Sequence, residues 1–308
     1  MQKTLRLFYQ VTRARTLPMI IAPIIVGAVF AWQQGTVFRW ELFLLTLVGA
    51  LAAHLAANVT NDIFDFAQGT DQAAQKLVAD GTTVVTGSQG LLQHGFSLWA
   101  YRRVALLCFA LALLCGLLLT FFRPWTLLFA VPGFLLAFFY VAPPLRLAYI
   151  GRGVGEVDIL CSFGILPVLG SYYIQAGNVT WNVVLAALPI GLYTTTVLYF
   201  HHFLHWQADK VVGKMTPIVV LGTSRARMVG VFLVMLIACL LILDVFLQIY
   251  PWYSIVAVLT IMPVTLALKR ATGELQNYTK LLAIDTSADL QAAFLLVVAM
   301  GIHGIFRL

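Results

Sequence analysis

Nine apolar stretches, each long enough to match the thickness of a bilayer, constrain this chain more than any other feature of its sequence. They cover approximately residues 14–33, 40–58, 103–121, 125–141, 155–175, 182–200, 228–248, 252–268 and 288–306. A helix needs about 20 mostly apolar residues to cross the hydrocarbon core. The stretches are continuously apolar, whereas the strands of a membrane barrel alternate. The sequence therefore predicts an all-α polytopic membrane protein with about nine transmembrane helices.

Charged residues are scarce and concentrated on one side of these predicted helices. They make up 10% of the chain, against about 25% in a typical soluble domain. If the N-terminus lies on one side, 16 of the 19 Lys and Arg residues share that side, and Arg39, Arg123 and Arg307 lie opposite. Because cytoplasmic segments carry the excess of basic residues, we expect a cytoplasmic N-terminus and a location in the cell inner membrane. We expect the lipid bilayer as a partner and no nucleic acid.

The same topology places three polar loops in the cytoplasm, at about residues 59–102, 142–154 and 201–227. Loops that are held by a rigid scaffold often carry functional residues. The first and the last of these loops follow the second and the sixth predicted helix, a spacing that is compatible with a duplicated four-helix unit. We expect residues 1–308 to form a single domain whose functional residues lie on these loops.

The first predicted loop opens with an acidic cluster. Asn58, Asp62 and Asp65 are spaced i, i+4, i+7, so a helix would present them on one face. Gly69 can end that helix and let Asp71 fold back toward the other carboxyl groups. Carboxylates this close repel each other unless a cation lies between them, and Mg²⁺ prefers oxygen ligands, often beside phosphate. The cluster predicts a Mg²⁺ site at the mouth of a membrane helix.

The third predicted loop opens with histidines and cations. His201, His205 and Asp209 are spaced i, i+4, i+8, again on one helix face, and Lys210 and Lys214 follow within about a turn. Cations beside a carboxylate cluster indicate a ligand that carries several negative charges. A diphosphate fits this description, because Mg²⁺ can bridge its oxygens while Lys and Arg neutralise the remaining charge.

The loop at 142–154 contains two prolines and several glycines, which restrict its backbone. Tyr140 precedes this loop. Arg146 and Arg152 lie within it and could reach the same anion, or they could anchor the loop at the cytoplasmic surface.

Three segments together resemble the UbiA superfamily of intramembrane prenyltransferases. The segments are Asn58…Asp62…Asp65…Asp71, Asp209-Lys210…Gly213-Lys214 and Pro143-Pro144-Leu-Arg146-Leu…Gly155-Glu156. The resemblance extends from about Arg13 to about Arg227. The pattern Asn-Asp-x-x-Asp-x-x-x-Gly-x-Asp, with the run from Gly155 to Tyr173, is most similar to the branch that prenylates 1,4-dihydroxy-2-naphthoate for menaquinone.

The resemblance implies nine helices around a central cavity, with two Asp-rich motifs that hold Mg²⁺ and an isoprenyl diphosphate. By position in these motifs, it implies that the catalytic metal ligands are Asp62, Asp65, Asp71 and Asp209. It also implies that the diphosphate is held by Asn58, Tyr140, Arg146, Lys210 and Lys214.

The second motif departs from the family at its first acid. His205 stands where the family has Asp, and His201 or His202 stands where it has Asn. Neutral imidazole is a poor ligand for Mg²⁺ and a good one for Zn²⁺ and other transition metals. Three interpretations are open: Asp209 and water hold the second Mg²⁺, a protonated His205 contacts the diphosphate, or His201, His205 and Asp209 bind a different metal.

The expected function is Mg²⁺-dependent transfer of a polyprenyl group to an aromatic acceptor, in this branch 1,4-dihydroxy-2-naphthoate. Aromatic faces could stabilise the allylic cation, and the candidates are Phe64, Phe66, Tyr140, Tyr149, Tyr172 and Tyr173. One alternative is a related enzyme that acts on 4-hydroxybenzoate, a porphyrin or a glycerol phosphate, or that cyclises a terpene. Another is a membrane transporter, although its charges would be expected near the bilayer midplane.

Overall fold

The computed structural model describes residues 8–79, 81, 83–84 and 97–306. Of the residues used to predict the orientation, Lys3, Arg6 and Arg307 lie outside the described residues. Residues 85–96, in the middle of the first predicted loop, also lie outside them.

Helices account for the architecture, and the described residues contain no β-strand. Eight of these helices are long and apolar enough to cross a membrane: α1 (Pro18–Gln33, preceded by the 3₁₀ turn Ala14–Thr16), α2 (Trp40–Ala67), α4 (Leu98–Phe122), α6 (Val154–Ala176), α7 (Trp181–Val211), α8 (Pro217–Phe246), α9 (Trp252–Arg270) and α10 (Leu275–Phe306). A shorter apolar helix, α5, covers Pro124–Phe139, and a polar helix, α3, covers Thr70–Ala79. The predicted all-α polytopic fold is confirmed, with α5 as the shortest of the nine apolar helices in the described segments.

The predicted starts of two loops are wrong, because the helices that precede these loops extend further than expected. The second apolar stretch was expected to end at residue 58, but α2 ends at Ala67. The sixth was expected to end at residue 200, but α7 ends at Val211. With 31 residues, α7 is about 46 Å long, roughly 16 Å more than the hydrocarbon core. Hydropathy marks the part of a helix that lies in lipid, whereas these helices continue beyond it with polar residues that face a cavity.

The same effect shifts two helix starts. The seventh and ninth stretches were expected to begin at residues 228 and 288, and α8 and α10 begin at Pro217 and Leu275. The first turns of α10 carry polar residues that a hydropathy window excludes. In α8, a short apolar turn at 217–221 is separated from the rest of the helix by a non-helical residue, Gly222, and by the polar run that follows it.

A π-helical segment interrupts α6 near its first third. Residues Leu160–Ile165 have the wider π winding, and Pro167 follows immediately. Proline has no N–H to complete the α-helical hydrogen bond to the residue four positions earlier, so the helix must adjust before it. Segments of this kind are frequent at functional sites.

Close backbone contact fixes α6 against α7. A methyl group added at Gly164 would lie 2.0 Å from Cα of Gly191, which is far too close for two non-bonded carbon atoms. Glycine at both positions therefore lets the two helices touch along their backbones. This contact holds the π segment against α7 at Gly191, which precedes the first histidine, His201, by almost three helical turns.

The largest buried cluster lies where α1, α7, α8 and α10 meet, and it includes the fully buried Phe30, Tyr193 and Phe200. Within it, Thr196 Oγ1 lies 2.7 Å from the carbonyl oxygen of Tyr193 and 3.2 Å from Asp285 Oδ1. Intramembrane carboxyl groups of this kind are costly unless they are paired. Large apolar side chains on the outer faces of the helices, such as Leu107 and Phe121, are exposed and suit contact with lipid.

Candidate active site

A cavity of about 250 Å³ lies among the ends of α2, α5, α6 and α7. It brings together predicted residues from both motifs, with Tyr140 from the end of α5: Asn58, Asp65, Asp71, Tyr140, His201, His202, His205, Asp209 and Lys214. The polar ends of α2 and α7 are far apart in sequence, and their convergence on a single cavity makes the two motifs one site.

The acidic end of α2 follows the predicted geometry at its turn. Gly69 has a φ of 79°, a left-handed conformation that favours glycine and that ends the helix. Asp71 lies in the first turn of α3 and lines the cavity beside Asp65. Asp65 is buried, and its carboxylate accepts hydrogen bonds from Asn61 Nδ2 at 2.9 Å and from the Tyr149 hydroxyl at 3.0 Å. These bonds fix the orientation of Asp65.

Arg13 is a site residue that the sequence did not single out. Its guanidinium donates to Asp62 Oδ1, and Arg13 itself lines the cavity. Asp62 is fully buried and lies behind the cavity lining. Burial alone would lower the pKa of Arg13, but the carboxylates of Asp62, Asp71 and Asp65 raise it above its ordinary value. Arg13 therefore stays charged and offsets part of the negative charge of the acidic end.

Asn58 anchors the segment that carries this arginine. Its Nδ2 donates to the carbonyl of Thr12 and to Oγ1 of Thr16, both at 3.1 Å. Asn58, which the sequence predicts to bind diphosphate, therefore also connects α2 to the N-terminal segment. The contact spans more than 40 positions of sequence, so no spacing rule would have shown it.

At the histidine end of α7, the contact between Thr83 and His205 has a defined donor and acceptor. Thr83 Oγ1 donates its one hydrogen to the carbonyl of Leu204 at 2.5 Å, and the same oxygen lies 3.0 Å from His205 Nδ1. Because the hydroxyl hydrogen is already used, Nδ1 of His205 must donate. The other ring nitrogen, Nε2, is then the one available to a ligand, because the His205 side chain lines the cavity. The His201 ring lies beside it, with ring centres 4.6 Å apart.

Lys214 and Lys210 differ in position. A turn at Gly213, with a φ of 73°, brings Lys214 back into the cavity, where its Nζ lies 4.0 Å from Asp209 Oδ1. Burial lowers the pKa of Lys214, but the carboxylates of Asp209 and Asp65 outweigh it and raise the pKa above its ordinary value. Lys210 is exposed and lies outside the cavity lining.

Arg146 lies behind the cavity wall and supports it. Its guanidinium donates to Gln68 Oε1 and stacks 4.3 Å above the ring of Tyr149. Burial and the nearby Asp65 raise the pKa of Tyr149 to about 12, so its hydroxyl remains a donor to Asp65. The loop thus reaches the acidic end through Tyr149, while Arg152 is exposed.

The aromatic candidates divide between the two ends of the fold. Tyr140 lines the cavity, and so does Phe163, which the sequence did not single out. Tyr172 and Tyr173 lie at the opposite end, where their hydroxyl groups contact Gln34 and the backbone of Trp125. They are therefore removed from the cavity, contrary to the expectation from the sequence.

Comparison with known proteins identifies the family. The sequence profile described as the UbiA prenyltransferase family matches residues 20–282. The chain belongs to the UbiA prenyltransferase family. Relatives include a 2-carboxy-1,4-naphthoquinone phytyltransferase of Synechocystis sp., 28% identical over 82% of this chain and 78% of that protein. Another is a 1,4-dihydroxy-2-naphthoate octaprenyltransferase of Escherichia coli, 30% identical over 76% of this chain and 75% of that protein.

Solved structures of the UbiA family share this fold. A UbiA homologue from Archaeoglobus fulgidus bound to GPP and Mg²⁺ superposes with a TM-score of 0.68 at 14% identity, covering 94% of this chain and 99% of the other. The resemblance to the naphthoate-prenylating branch of UbiA enzymes is confirmed by the relatives. The chain is an integral membrane protein and a prenyltransferase, and the transporter alternative has no support.

The donor atoms of this UbiA site fit a metal ion that substrate helps to bind. Within the described segments, no three His, Cys, Asp or Glu side chains converge closely enough to hold an ion by themselves. Oδ2 of Asp62 and Oδ2 of Asp209 are buried without a hydrogen-bond partner. Mg²⁺ commonly takes one or two carboxylates and completes its shell with phosphate and water. The carboxylates suit that arrangement. The three side chains of His201, His205 and Asp209 do not converge into a complete site of their own in the described segments.

Proposed function

We propose that this enzyme transfers a polyprenyl group from an isoprenyl diphosphate to 1,4-dihydroxy-2-naphthoate in menaquinone biosynthesis, with Mg²⁺ as cofactor. The observation that carries the proposal is the convergence of Asp65 and Asp71 with Asp209 and Lys214 on one cavity. Carboxylates and a buried cation together suit a diphosphate with its metal ions. The printed names of the relatives support the choice of acceptor.

In this proposal the metal ions that accompany the diphosphate are held by carboxylates of both ends together with diphosphate oxygens, and the carboxylates are those of Asp62, Asp65, Asp71 and Asp209. When bound, Mg²⁺ would neutralise the diphosphate and make it a better leaving group. Asn61 and Tyr149 orient Asp65 through hydrogen bonds of 2.9 and 3.0 Å. Arg13 balances the charge of Asp62 and remains within reach of the cavity.

Lys214 stabilises the charge that develops on the departing diphosphate. It lines the cavity and keeps its proton because carboxylates surround it. A fixed cation aimed at developing charge is among the strongest contributions a protein makes to catalysis. Asn58, Tyr140 and His205 complete the diphosphate-binding set. Arg146 supports the cavity wall from behind, and Lys210, which is exposed, adds at most a weak long-range attraction for the anion.

The rest of the cavity wall suits a reactive carbocation and an aromatic ring. Ala137, Ile159, Phe163 and Leu198 give it an apolar section. Apolar walls exclude water, which would otherwise capture the allylic cation, and the face of Phe163 can stabilise positive charge. Each apolar residue lies further into its membrane-spanning helix than the polar lining residue nearest to it in sequence.

The proposal includes the orientation and organisation of the chain. The N-terminus and the site face the cytoplasm, as the distribution of Lys and Arg favours, and the membrane is the cell inner membrane. The 308 residues act as a single domain.

A product assay tests the proposal. The purified protein in detergent receives geranyl, farnesyl or longer isoprenyl diphosphates with Mg²⁺, and either 1,4-dihydroxy-2-naphthoate or 4-hydroxybenzoate. We expect diphosphate release that depends on the naphthoate, and a product whose mass corresponds to prenylation with loss of CO₂. A prenylated benzoate, or no product with either acceptor, would refute the assignment of the acceptor or of the reaction respectively.

A further inference from the structure

Two polar side chains on the cavity wall have no hydrogen-bond partner and no role in holding diphosphate. Asp158 and Ser162 both line the cavity, and they lie four residues apart on α6. Asp158 is only 3% exposed. Its Oδ1 and the Ser162 Oγ are buried without a hydrogen bond to any other group.

Such a pair needs a ligand. Buried polar atoms in proteins almost always have a hydrogen-bond partner, and each exception calls for an explanation. A carboxyl oxygen requires a donor, and a serine hydroxyl can both donate and accept. A ligand hydroxyl meets both needs at once, because it donates through its hydrogen and accepts through its oxygen.

The surroundings indicate an aromatic ligand. Ile159 and Phe163 follow Asp158 and Ser162 on α6, and Leu198 of α7 lines the same cavity, so apolar surface flanks the polar pair. The π segment Leu160–Ile165 contains Ser162, and the contact between Gly164 and Gly191 holds that segment rigidly. The pair is therefore a fixed polar point within an apolar wall, as a planar hydroxylated ring requires.

The position of Tyr140 relates this pair to the diphosphate end. Burial raises the pKa of Tyr140, Lys214 partly counteracts this effect, and the charges of Glu156 and Asp158 add to it. Tyr140, Lys214 and Asp158 all line the same cavity. Because the polar pair and the acidic ends share this cavity, a ligand bound at the pair can meet the reactive end of an isoprenyl diphosphate.

We propose that Asp158 and Ser162 recognise a ring hydroxyl of the aromatic acceptor. The hydroxyl donates to Asp158 Oδ1 and shares a second hydrogen bond with Ser162 Oγ. The inference rests on the proposed function and specifies which residues select the acceptor. Sites that hydrogen-bond a substrate hydroxyl reject analogues without it, because their buried polar atoms are then left unpaired.

Equilibrium binding tests this recognition without turnover. The wild type and variants bind 1,4-dihydroxy-2-naphthoate and its two monohydroxy analogues, 1-hydroxy- and 4-hydroxy-2-naphthoate, with farnesyl thiodiphosphate and Mg²⁺ present. We expect the wild type to prefer the dihydroxy ligand over the weaker analogue by at least about 10-fold. Asp158→Leu should reduce that preference to within about 2-fold, and Asp158→Asn should retain most of it because its amide oxygen still accepts.

Two residues outside the cavity provide matched controls. Asp244 and Ser254 are also buried, and each has a side-chain oxygen without a hydrogen bond. Asp244→Asn and Ser254→Ala should preserve the preference, while Ser162→Ala should lower it. If Asp158→Leu does not fold, the comparison of Ser162→Ala with Ser254→Ala still decides the test.

The outcomes separate this inference from the proposed function. Equal weakening of all three ligands in Asp158→Leu, an unchanged preference, or no binding of any naphthoate by the wild type would overturn the inference. If the wild type forms no prenylated product but shows the preference and loses it in Asp158→Leu, the proposed reaction fails and the recognition site stands.

Discussion

The ends of α2 and α7 resemble each other in form and differ in chemistry. Each helix continues beyond the expected membrane boundary, carries its polar residues in the last turns and then reverses at a glycine, Gly69 or Gly213. The α2 end presents Asp62 and Asp65, with Asp71 just beyond the turn. The α7 end presents a single acid, Asp209, beside three histidines and Lys214.

The difference shows how charge is divided within one site. Carboxylates at the C-terminal end of a helix oppose its dipole, so the acids on both helices are held there against a local cost. At the α2 end, Arg13 offsets part of that charge. At the α7 end, Lys214 offsets the lone acid, and the imidazole of His205 stands where the family has a further carboxylate. Under the proposed function, the α2 end mainly holds cations and the α7 end mainly holds the anion.

The most severe loss is expected from the lone acid of α7. Asp209→Asn leaves that end without a carboxylate, whereas Asp65→Asn leaves two acids at the α2 end. We expect kcat/KM for prenyl transfer to fall by about 10³-fold in Asp209→Asn and about 10²-fold in Asp65→Asn. Steady-state kinetics with saturating Mg²⁺ measures both, with Asp244→Asn as the buried control. A larger loss in Asp65→Asn would contradict the division of roles.

The two lysines after α7 provide the next comparison. Lys214 is buried in the cavity and Lys210 is exposed outside it. We expect Lys214→Ala to lower kcat/KM by about 10²-fold, because a fixed cation beside the leaving group is lost. Lys210→Ala should stay within about 3-fold of the wild type, since exposed charges contribute little. Equal losses in the two variants would show that position in the cavity does not matter.

Making the two ends alike tests what the histidine does. His205→Asp places a second carboxylate one helical turn from Asp209, as in the family pattern. We expect the Mg²⁺ concentration for half-maximal activity to fall by about 10-fold, because a hard oxygen ligand replaces imidazole. A Mg²⁺ titration of the transfer rate measures this. An equal or higher requirement for Mg²⁺ in His205→Asp would contradict this expectation.

The smallest effect concerns the close packing of α6 on the membrane-spanning part of α7. Gly164→Ala would place Cβ 2.0 Å from Gly191 Cα, so the helices must separate. Overpacking costs about 1–3 kcal/mol, which lowers the unfolding midpoint by roughly 5 °C. Gly116→Ala, where a methyl group meets nothing within 4 Å, is the matched control and should be neutral or slightly stabilising. Thermal unfolding in detergent measures both, and similar midpoints would refute the close contact.

The sequence predicted the fold class and the members of each motif better than it predicted their partners. Helical spacing and the turn at Gly69 were enough to expect Asp65 and Asp71 in one place. The contact of Arg13 with Asp62 spans 49 positions, and that of Thr83 with His205 spans 122. No local pattern encodes such distances. Asp158 escaped notice because a single acid near the start of a helix is common, and its burial beside a cavity becomes visible only once the helices are packed.

Binding of a diphosphate analogue tests most directly whether the two ends form one site. The dissociation constant of farnesyl thiodiphosphate with Mg²⁺ is measured for the wild type, Asp65→Asn, Asp209→Asn and the double variant. We expect each single substitution to weaken binding by at least about 10-fold, and the double variant to be within about 3-fold of the weaker single variant, because both acids act on one bound diphosphate. Losses that multiply to about 100-fold or more would mean that the two ends act independently, and the account of a single shared site would be wrong.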